Sequence, residues 1–367
     1  MEKHVMEERL HPDDSGERTI RIVDIARMAG VSTATVDRVI HHRGKVSEQN
    51  LARINAVLRQ VDYRPNLIAR SLASGRRRTL CVVTPAFEEG DYWADVETGI
   101  ARAEAQARRY GIDIRRCRFD QYDCPSFERA AEVLHDETFD GVVIAPFFRE
   151  PMLALARGLD AREIPYVFVD SDLPECNRLA YFGTPSFDAG RVAARLLCDR
   201  IDPSADIVIG RIVHRPGEGS VQCRLREEGF RAYLDETGYR GTLLSASLRL
   251  DDPAGNEREL DALFAAHPSV AGAVTFNSTC HLLAGYLSAH GRRDVRLVGY
   301  DAIRRNGRML AEGAVTALVA QRPEVQGYRS VMALCDWLVE GRPTARINPI
   351  PLDILFKENY PYYNNNL

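Results

Sequence analysis

Two sets of side chains in this 367-residue chain have the types and spacing to do chemistry. One is compact. Ser32, Thr33, Ala34 and Arg38 lie in a short amphipathic stretch, and Arg43, Lys45 and Asn50 follow closely. Arg38 carries the planar donor fork that fits the two acceptors of a guanine edge, while Thr33 and Ala34 offer small or apolar contacts to a base. Ser32, Arg43, Lys45 and Asn50 are the types that bond phosphate oxygens, which sets position without reading sequence. The other set is scattered, and most of its members stand where an apolar run stops. Phe87, Tyr92 and Trp93 follow the first run and Asp120 the second. Phe147 and Phe148 follow the third, Asp170 and Asp172 the fourth, and Asn277, Asp301 and Gln321 later ones, with Arg226 near the start of a helical stretch. Carboxylates, amides and one guanidinium can bond several hydroxyls, and aromatic faces pack on a sugar ring. Each Asp at a run's end could equally cap a helix. Phe147 and Phe148 could serve a core, and Arg226 could read a carboxylate as well as a pair of hydroxyls.

The compact set is held by three helical stretches. Ile22, Ile25, Ala26 and Ala29 form one apolar stripe, and Gly30 permits a sharp turn. Ser32 then caps a helix over 33–40 that buries Val36, Val39 and Ile40, and after a basic loop Ser47 caps a third with Leu51, Ile54, Leu58 and Val61 on its inner side. Helix, tight turn and short second helix is the helix-turn-helix pattern, in which the second helix enters the major groove. From Leu80 onward, apolar runs alternate with amphipathic stretches. Strands are expected to begin near Leu80, Ile112, Gly141, Tyr166, Asp206, Thr242, Ala271, Val295 and Val315, with helices over 94–110, 126–137, 221–236 and 325–340 among others. Continuous β-branched runs separated by helices indicate parallel sheets covered on both faces. The expected fold is a small all-α helix-turn-helix domain followed by an α/β domain of two doubly wound parallel-sheet lobes; a single nine-stranded sheet is the alternative.

Charge separates the same two regions. Residues 18–78 hold 13 Lys/Arg against 4 Asp/Glu, whereas residues 79–367 hold 33 against 42, within a chain of net charge −4. A basic head on an acidic body is the electrostatic footprint of nucleic-acid binding. The first 17 residues are polar, without the apolar segment of a secretion signal, and read as a disordered leader; no run is long enough to span a membrane. The eight cysteines show no paired or zinc-binding spacing and read as reduced thiols. There is no GxSxG elbow, no Walker loop, no GxGxxG after the first strand and no His/Cys metal spacing, and His214, His281 and His290 stand alone. An enzyme is therefore not expected, nor a metal or other cofactor.

The run Asp24-Ile-Ala-Arg-Met-Ala-Gly-Val-Ser-Thr-Ala-Thr-Val36 with Arg38-Val39, then Val46-Ser47 and Tyr63-Arg-Pro-Asn66, resembles the signature of the LacI/GalR family of bacterial repressors. Gly299-Tyr-Asp301, Gln321 with Gly327, and Arg224-Leu-Arg-Glu-Glu-Gly-Phe230 resemble anchor points of that family's effector domain, itself similar to periplasmic sugar-binding proteins. The resemblance implies a disordered leader at 1–17, a helix-turn-helix domain at 18–65 and a hinge helix and linker at 66–78. It further implies an effector-binding domain at 79–360 and a tail at 361–367. Within the effector domain it puts 79–184 and 322–342 in the first lobe and 185–321 and 343–360 in the second. It implies a cytoplasmic homodimer on a near-palindromic double-stranded operator, with Asn66, Ala69 and Leu72 in the hinge and Leu72 wedged into the minor groove. It implies a carbohydrate effector held by Asp170, Arg226, Asn277, Asp301 and Gln321, with Tyr92 and Trp93 as the aromatic pair. One position departs: Asp37 stands where the family usually has a phosphate-binding Ser, so the operator sequence cannot be borrowed. A solute-binding protein or a sugar-acting α/β enzyme without a DNA role remains the alternative.

Overall fold

The computed structural model describes residues 20–40, 44–61, 77–213 and 220–366. They divide between a unit within residues 1–70 and another within 71–367. The leader at 1–17, Arg43, and Asn66, Ala69 and Leu72 of the hinge lie outside the described residues.

The first unit contains α1 (Ile22–Ala29), α2 (Thr33–Ile40) and α3 (Glu48–Gln60). α1 stops because Gly30 turns left-handed at φ 65°, and the Val31 N–H then reaches the Ala26 carbonyl at 3.0 Å. Ser32 Oγ accepts from the Thr35 N–H at 3.2 Å and caps α2, and Ser47 Oγ accepts from the Asn50 N–H at 3.4 Å and caps α3. Such caps contribute about 1 kcal/mol each. Ile25, Ala26, Ala29, Val36, Val39, Ile54 and Val57 close into one small core. The inner stripe of α3 needs a correction: Leu51, in the first turn, is 40% exposed, and Val57 takes the buried place beside Ile54.

The second unit begins with β1 (Arg78–Pro85), β2 (Ile112–Phe119), β3 (Gly141–Ile144), β4 (Tyr166–Val169) and β5 (Ala180–Gly183). It continues with β6 (Asp206–Ile212), β7 (Leu243–Leu248), β8 (Val270–Thr275), β9 (Arg296–Tyr300) and β10 (Ala317–Ala320), and ends with β11 (Ile347–Pro349) and β12 (Asp353–Leu355). Two six-stranded sheets result, ordered β11-β5-β4-β3-β1-β2 and β12-β10-β9-β8-β6-β7. All pairings are parallel except that of β10 with β12. Between strands run α4 (Tyr92–Ala107), α5 (Cys124–Asp136), α6 (Arg149–Ala161), α7 (Ser186–Cys198) and α8 (Val221–Thr237). They are followed by α9 (Pro253–Ala266), α10 (Cys280–Ala289), α11 (Arg304–Ala311) and α12 (Pro323–Glu340). This is the two-lobed, doubly wound arrangement expected.

The period of two explains why the strands read as unbroken apolar runs. Leu80 and Val82 join Val143, Val167 and Val169 against α4 and α12, while Cys81 and Val83 join Val142, Ile144 and Phe168 against α5 and α6. Each fully buried aliphatic side chain contributes about 1.5–3 kcal/mol. One helix pair in each lobe meets at backbone distance. A Cβ on Gly99 of α4 would lie 2.0 Å from the Glu324 carbonyl oxygen of α12, and one on Gly190 of α7 would lie 1.9 Å from the Arg226 carbonyl oxygen of α8.

Three short strands were not anticipated: β5, β11 and β12 have four, three and three residues, too few for a run to stand out. β11 joins the first sheet, so 343–350 runs with the first lobe and not, as expected, with the second. The pairing is satisfied on both sides, with Tyr181 N–H donating to the Arg346 carbonyl at 3.0 Å and Ile350 N–H to that of Gly183 at 2.9 Å. The expected tail is also structured: Tyr360–Asn366 forms a 3-10 turn, Tyr360 and Tyr363 pack on the second lobe's core, and Tyr363 OH accepts from the Arg322 N–H at 3.3 Å.

Candidate functional site

On the head, Ser32, Thr33, Ala34 and Arg38 lie exposed on or beside α2, and Lys45 is exposed beyond it; Asp37 and Asn50 are half-buried. Val36 and Val39 anchor the opposite face of α2 in the core, so its outer face is left exposed. The Ser32 hydroxyl also contacts that of Thr35 at 2.9 Å, which fixes the first turn.

In the body, a cleft of about 1480 Å³ opens between the lobes at the C-terminal ends of the strands. Asp170 and Asp301 occupy equivalent places in its floor. Each directly follows a strand, β4 or β9, and each holds a left-handed backbone, at φ 70° and 65°. Each donates its N–H to the next strand, Asp170 to Phe182 at 2.9 Å and Asp301 to Val319 at 3.0 Å. Such a conformation costs a non-glycine residue roughly 1–3 kcal/mol and is characteristic of functional sites, with Asp among the side chains that tolerate it better.

A polar chain links the two carboxylates. Tyr92 OH donates to Asp170 Oδ1 at 2.7 Å, and Gln222 Nε2 donates to the same atom at 3.1 Å and to Gln321 Oε1 at 3.2 Å. Gln321 Nε2 donates to Asp301 Oδ1 at 2.6 Å, and Ser278 Oγ donates to Asp301 Oδ2 at 2.6 Å. Thr184 Oγ1 donates to Gln321 Oε1 at 2.9 Å. Arg226 is 1% exposed and lies over the Tyr300 ring at 4.2 Å. Its Nη1 donates to the Phe276 carbonyl at 2.8 Å, but its Nε and Nη2 have no hydrogen-bond partner among the described residues. A buried charged donor left unpaired is costly, and this one has two on one edge.

Burial pushes the Asp170 and Asp301 carboxyls above the usual range, against the pull of Arg226 and of their hydrogen-bond donors. Burial and the two carboxylates push the Tyr92 phenol up, so it stays a donor. For Arg226, burial opposes the charge, but Tyr300, Asp301 and Asp170 outweigh it and hold the guanidinium charged. Asp95, half-buried on α4, is pushed up to about 6 by burial, with Glu324 and Asp301 adding to the effect.

The structure brings Phe87, Tyr92, Trp93, Asp170, Arg226, Asn277, Asp301 and Gln321 to the cleft wall, together with Phe147 and Phe148. Trp93 meets Tyr92 edge-on at 5.4 Å and Phe147 at 5.8 Å, while Phe148 also packs against Phe127, so these rings serve core and cleft together. Asn277 Oδ1 accepts from the Thr279 N–H at 3.2 Å and shapes the start of α10. Two expected residues stand apart. Asp120 is exposed and closes a turn by accepting from the Tyr122 N–H at 2.9 Å. Asp172 turns away to an ion pair with the buried Arg178. Gln222, Thr184 and Ser278 were missed. Gln222 lies one helical turn before Arg226 on the same face, a spacing that could have revealed it; Thr184 had no such signal. Among the described residues no group of His, Cys, Asp and Glu could hold a metal, and no helix is long and apolar enough to cross a membrane.

Known proteins match both regions. Residues 21–66 match bacterial regulatory proteins of the lacI family, and residues 80–342 match the periplasmic binding protein domain. A chain from Bacteroides fragilis described as a LacI transcriptional regulator is 36% identical, with a TM-score of 0.75 over 79% of this chain and 100% of its own. The protein belongs to the LacI family. The ribose operon repressor of Halalkalibacterium halodurans is 27% identical over 78% of this chain and 80% of its own. The catabolite repressor/activator of Escherichia coli is 32% identical over 44% of this chain and 51% of its own. A glucose-galactose binding protein from Geobacillus stearothermophilus shares the fold, with a TM-score of 0.68 at 20% identity over 78% of this chain and 100% of its own. This LacI-family chain is a DNA-binding transcriptional regulator.

Proposed function

We propose that the chain is a homodimeric repressor whose operator affinity is set by a neutral sugar or polyol in the cleft. The observation that carries this reading is the buried Arg226 edge, whose Nε and Nη2 have no hydrogen-bond partner among the described residues while Asp170 and Asp301 help to hold its charge. Two vicinal hydroxyls can accept from that edge while donating to Asp170 and Asp301. A sugar acid would add negative charge to a floor that already sets two carboxylates against one guanidinium, so the neutral ligand is favoured. The name of the ribose operon repressor agrees with this class.

In this reading Arg38 reads a guanine, Thr33 and Ala34 contact bases, and Ser32, Arg43, Lys45 and Asn50 meet phosphates. Asp37 accepts from a cytosine amino group or pairs with a neighbouring Arg, and Asn66, Ala69 and Leu72 act in the paired hinges. The protein works in the cytoplasm, without a cofactor and without turnover. Effector and operator are coupled by about 1–3 kcal/mol, reciprocally. A thermal-shift panel of pentoses, hexoses, polyols and sugar acids tests the ligand class, each at about 100 times its dissociation constant, where roughly 2.7 kcal/mol of stabilisation is due. Stabilisation by neutral sugars that changes when operator DNA selected from random sequence is added supports the reading. Stabilisation by acids alone, or by none of the panel, rejects it.

A further inference from the structure

The chain passes between the two lobes three times. It leaves β5 for α7 at 184–185, returns from β10 to α12 at 321–322, and leaves β11 for β12 at 350–352. When two lobes move against each other, a few such element-ending residues absorb the change in backbone angle. Among the described residues at these crossings, Arg322 alone has a left-handed backbone, with φ 51° and ψ 60°. It shares that strained conformation with Asp170 and Asp301, and it also precedes Pro323, whose ring steers the residue before it toward extended backbone.

Two partners hold Arg322 against that preference. Its Nε and Nη2 donate to the two oxygens of Asp353 at 2.6 and 2.7 Å, and Asp353 opens β12, just past the third crossing. Its N–H donates to the Tyr363 hydroxyl at 3.3 Å. Burial pushes the Tyr363 phenol up, so it meets Arg322 as a neutral hydroxyl. Tyr363 belongs to the turn Tyr360–Asn366, which is seated on the second lobe. Asn359 Oδ1 accepts from the Phe356 N–H at 2.7 Å, and its Nδ2 donates to the Ile354 carbonyl at 2.9 Å. The Tyr360 hydroxyl fills the space beside Gly307 of α11, 1.9 Å from where a Cβ would stand. The crossings are tied to one another as well: Thr184 Oγ1 donates to Gln321 Oε1 at 2.9 Å, and the Ile350 N–H donates to the Gly183 carbonyl at 2.9 Å. A change at Arg322 therefore has a path to the other two.

We propose that the turn Tyr360–Asn366 is a strap on the hinge between the lobes: Tyr363 and Asp353 together hold Arg322 left-handed, and releasing either partner loosens all three crossings. The strap is a property of the body itself, so its test needs neither a sugar nor an operator. Hydrogen exchange of the full-length protein, read by mass spectrometry on overlapping peptides, compares the unchanged chain with two variants. Tyr363→Phe keeps the packed ring and removes the hydroxyl; Asp353→Asn weakens the other partner. The telling amide is that of Ile350, which bonds the Gly183 carbonyl and neither substituted side chain. In both variants it should exchange about 2–10-fold faster, the loosening that one lost hydrogen bond allows, while peptides from β3 and β8 keep their rates. Faster exchange in Tyr363→Phe that is confined to peptides containing Arg322 or residues 356–366 overturns the strap and leaves the turn a local feature. Unchanged exchange, or a response of Ile350 to Asp353→Asn alone, overturns it too. A rise that extends to β3 and β8 marks a general loss of stability and counts equally against it.

Discussion

The head and the cleft solve recognition in opposite ways. On α2 the candidate reading groups, Thr33, Ala34 and Arg38, lie exposed above a core of seven buried residues and depend little on one another. In the cleft, Tyr92, Asp170, Gln222, Gln321, Asp301 and Ser278 are bonded to each other. Exposed groups on a rigid helix act nearly independently, so their losses should be local and additive. Groups in one buried network share their consequences, so a single change there should be felt across the site.

The largest effect should follow Arg226→Ala. It removes a buried guanidinium whose charge acts on the Asp170 and Asp301 carboxyls, a change that costs roughly 3–5 kcal/mol when it leaves buried charge uncompensated. Urea denaturation should register that loss, and sugar-induced thermal shifts should vanish; an unchanged sugar response would remove Arg226 from the ligand site. Next come the helix contacts. Gly99→Ala and Gly190→Ala each force a Cβ against a backbone oxygen, at 2.0 and 1.9 Å, and should cost about 1–3 kcal/mol or more. Only Gly190 abuts Arg226, so G190A should also weaken sugar binding whereas G99A should leave it close to normal. Equal effects of both on binding would break the distinction.

Arg38→Ala should cost about 1–3 kcal/mol at one operator base pair and leave stability and sugar binding alone, read by competition with single-base operator variants. Loss of discrimination at several positions at once would show the head to be as interdependent as the cleft. A last effect is expected with pH. The Asp95 carboxyl is raised to about 6 in the folded chain, against about 3.9 unfolded. The folded chain therefore binds more protons in that window, and stability should fall as pH rises from about 4 to about 6. Asp95→Asn should flatten that slope; an unaltered slope would show that Asp95 is not the group, leaving the other carboxyls that burial raises, Asp170, Asp172, Asp301 and Asp336.

Legibility in the sequence followed the same divide. The head was almost fully readable, because capping, a glycine stop and a 3.6-residue stripe are local signals; only Leu51 was misplaced, since which turn of α3 meets its neighbours is a tertiary matter. In the body, long β-branched runs announced the lobes, but the three- and four-residue strands β5, β11 and β12 carried too little pattern. Asp170, Asp172 and Asp120 looked alike, each just past an apolar run. What separates them is backbone direction: Asp170 turns left-handed into the cleft floor, Asp172 meets Arg178 and Asp120 closes its own turn. Gln222, Thr184 and Ser278 come from three separate segments; spacing to Arg226 could have pointed to Gln222, but only the fold brings in Thr184 and Ser278.

The left-handed turns at Asp170 and Asp301 also bear on how such a regulator could change over evolutionary time. Asn and Gly are the residues that tolerate that conformation best besides Asp, and both are a single nucleotide away from either Asp codon. A lineage moving to a new effector can therefore alter the charge at these two points in one step while the backbone stays where it is. Larger side chains there would have to take the left-handed turn, which β-branched and bulky residues resist. Descendants of this chain should accordingly lose charge at their cleft floor before they gain bulk there.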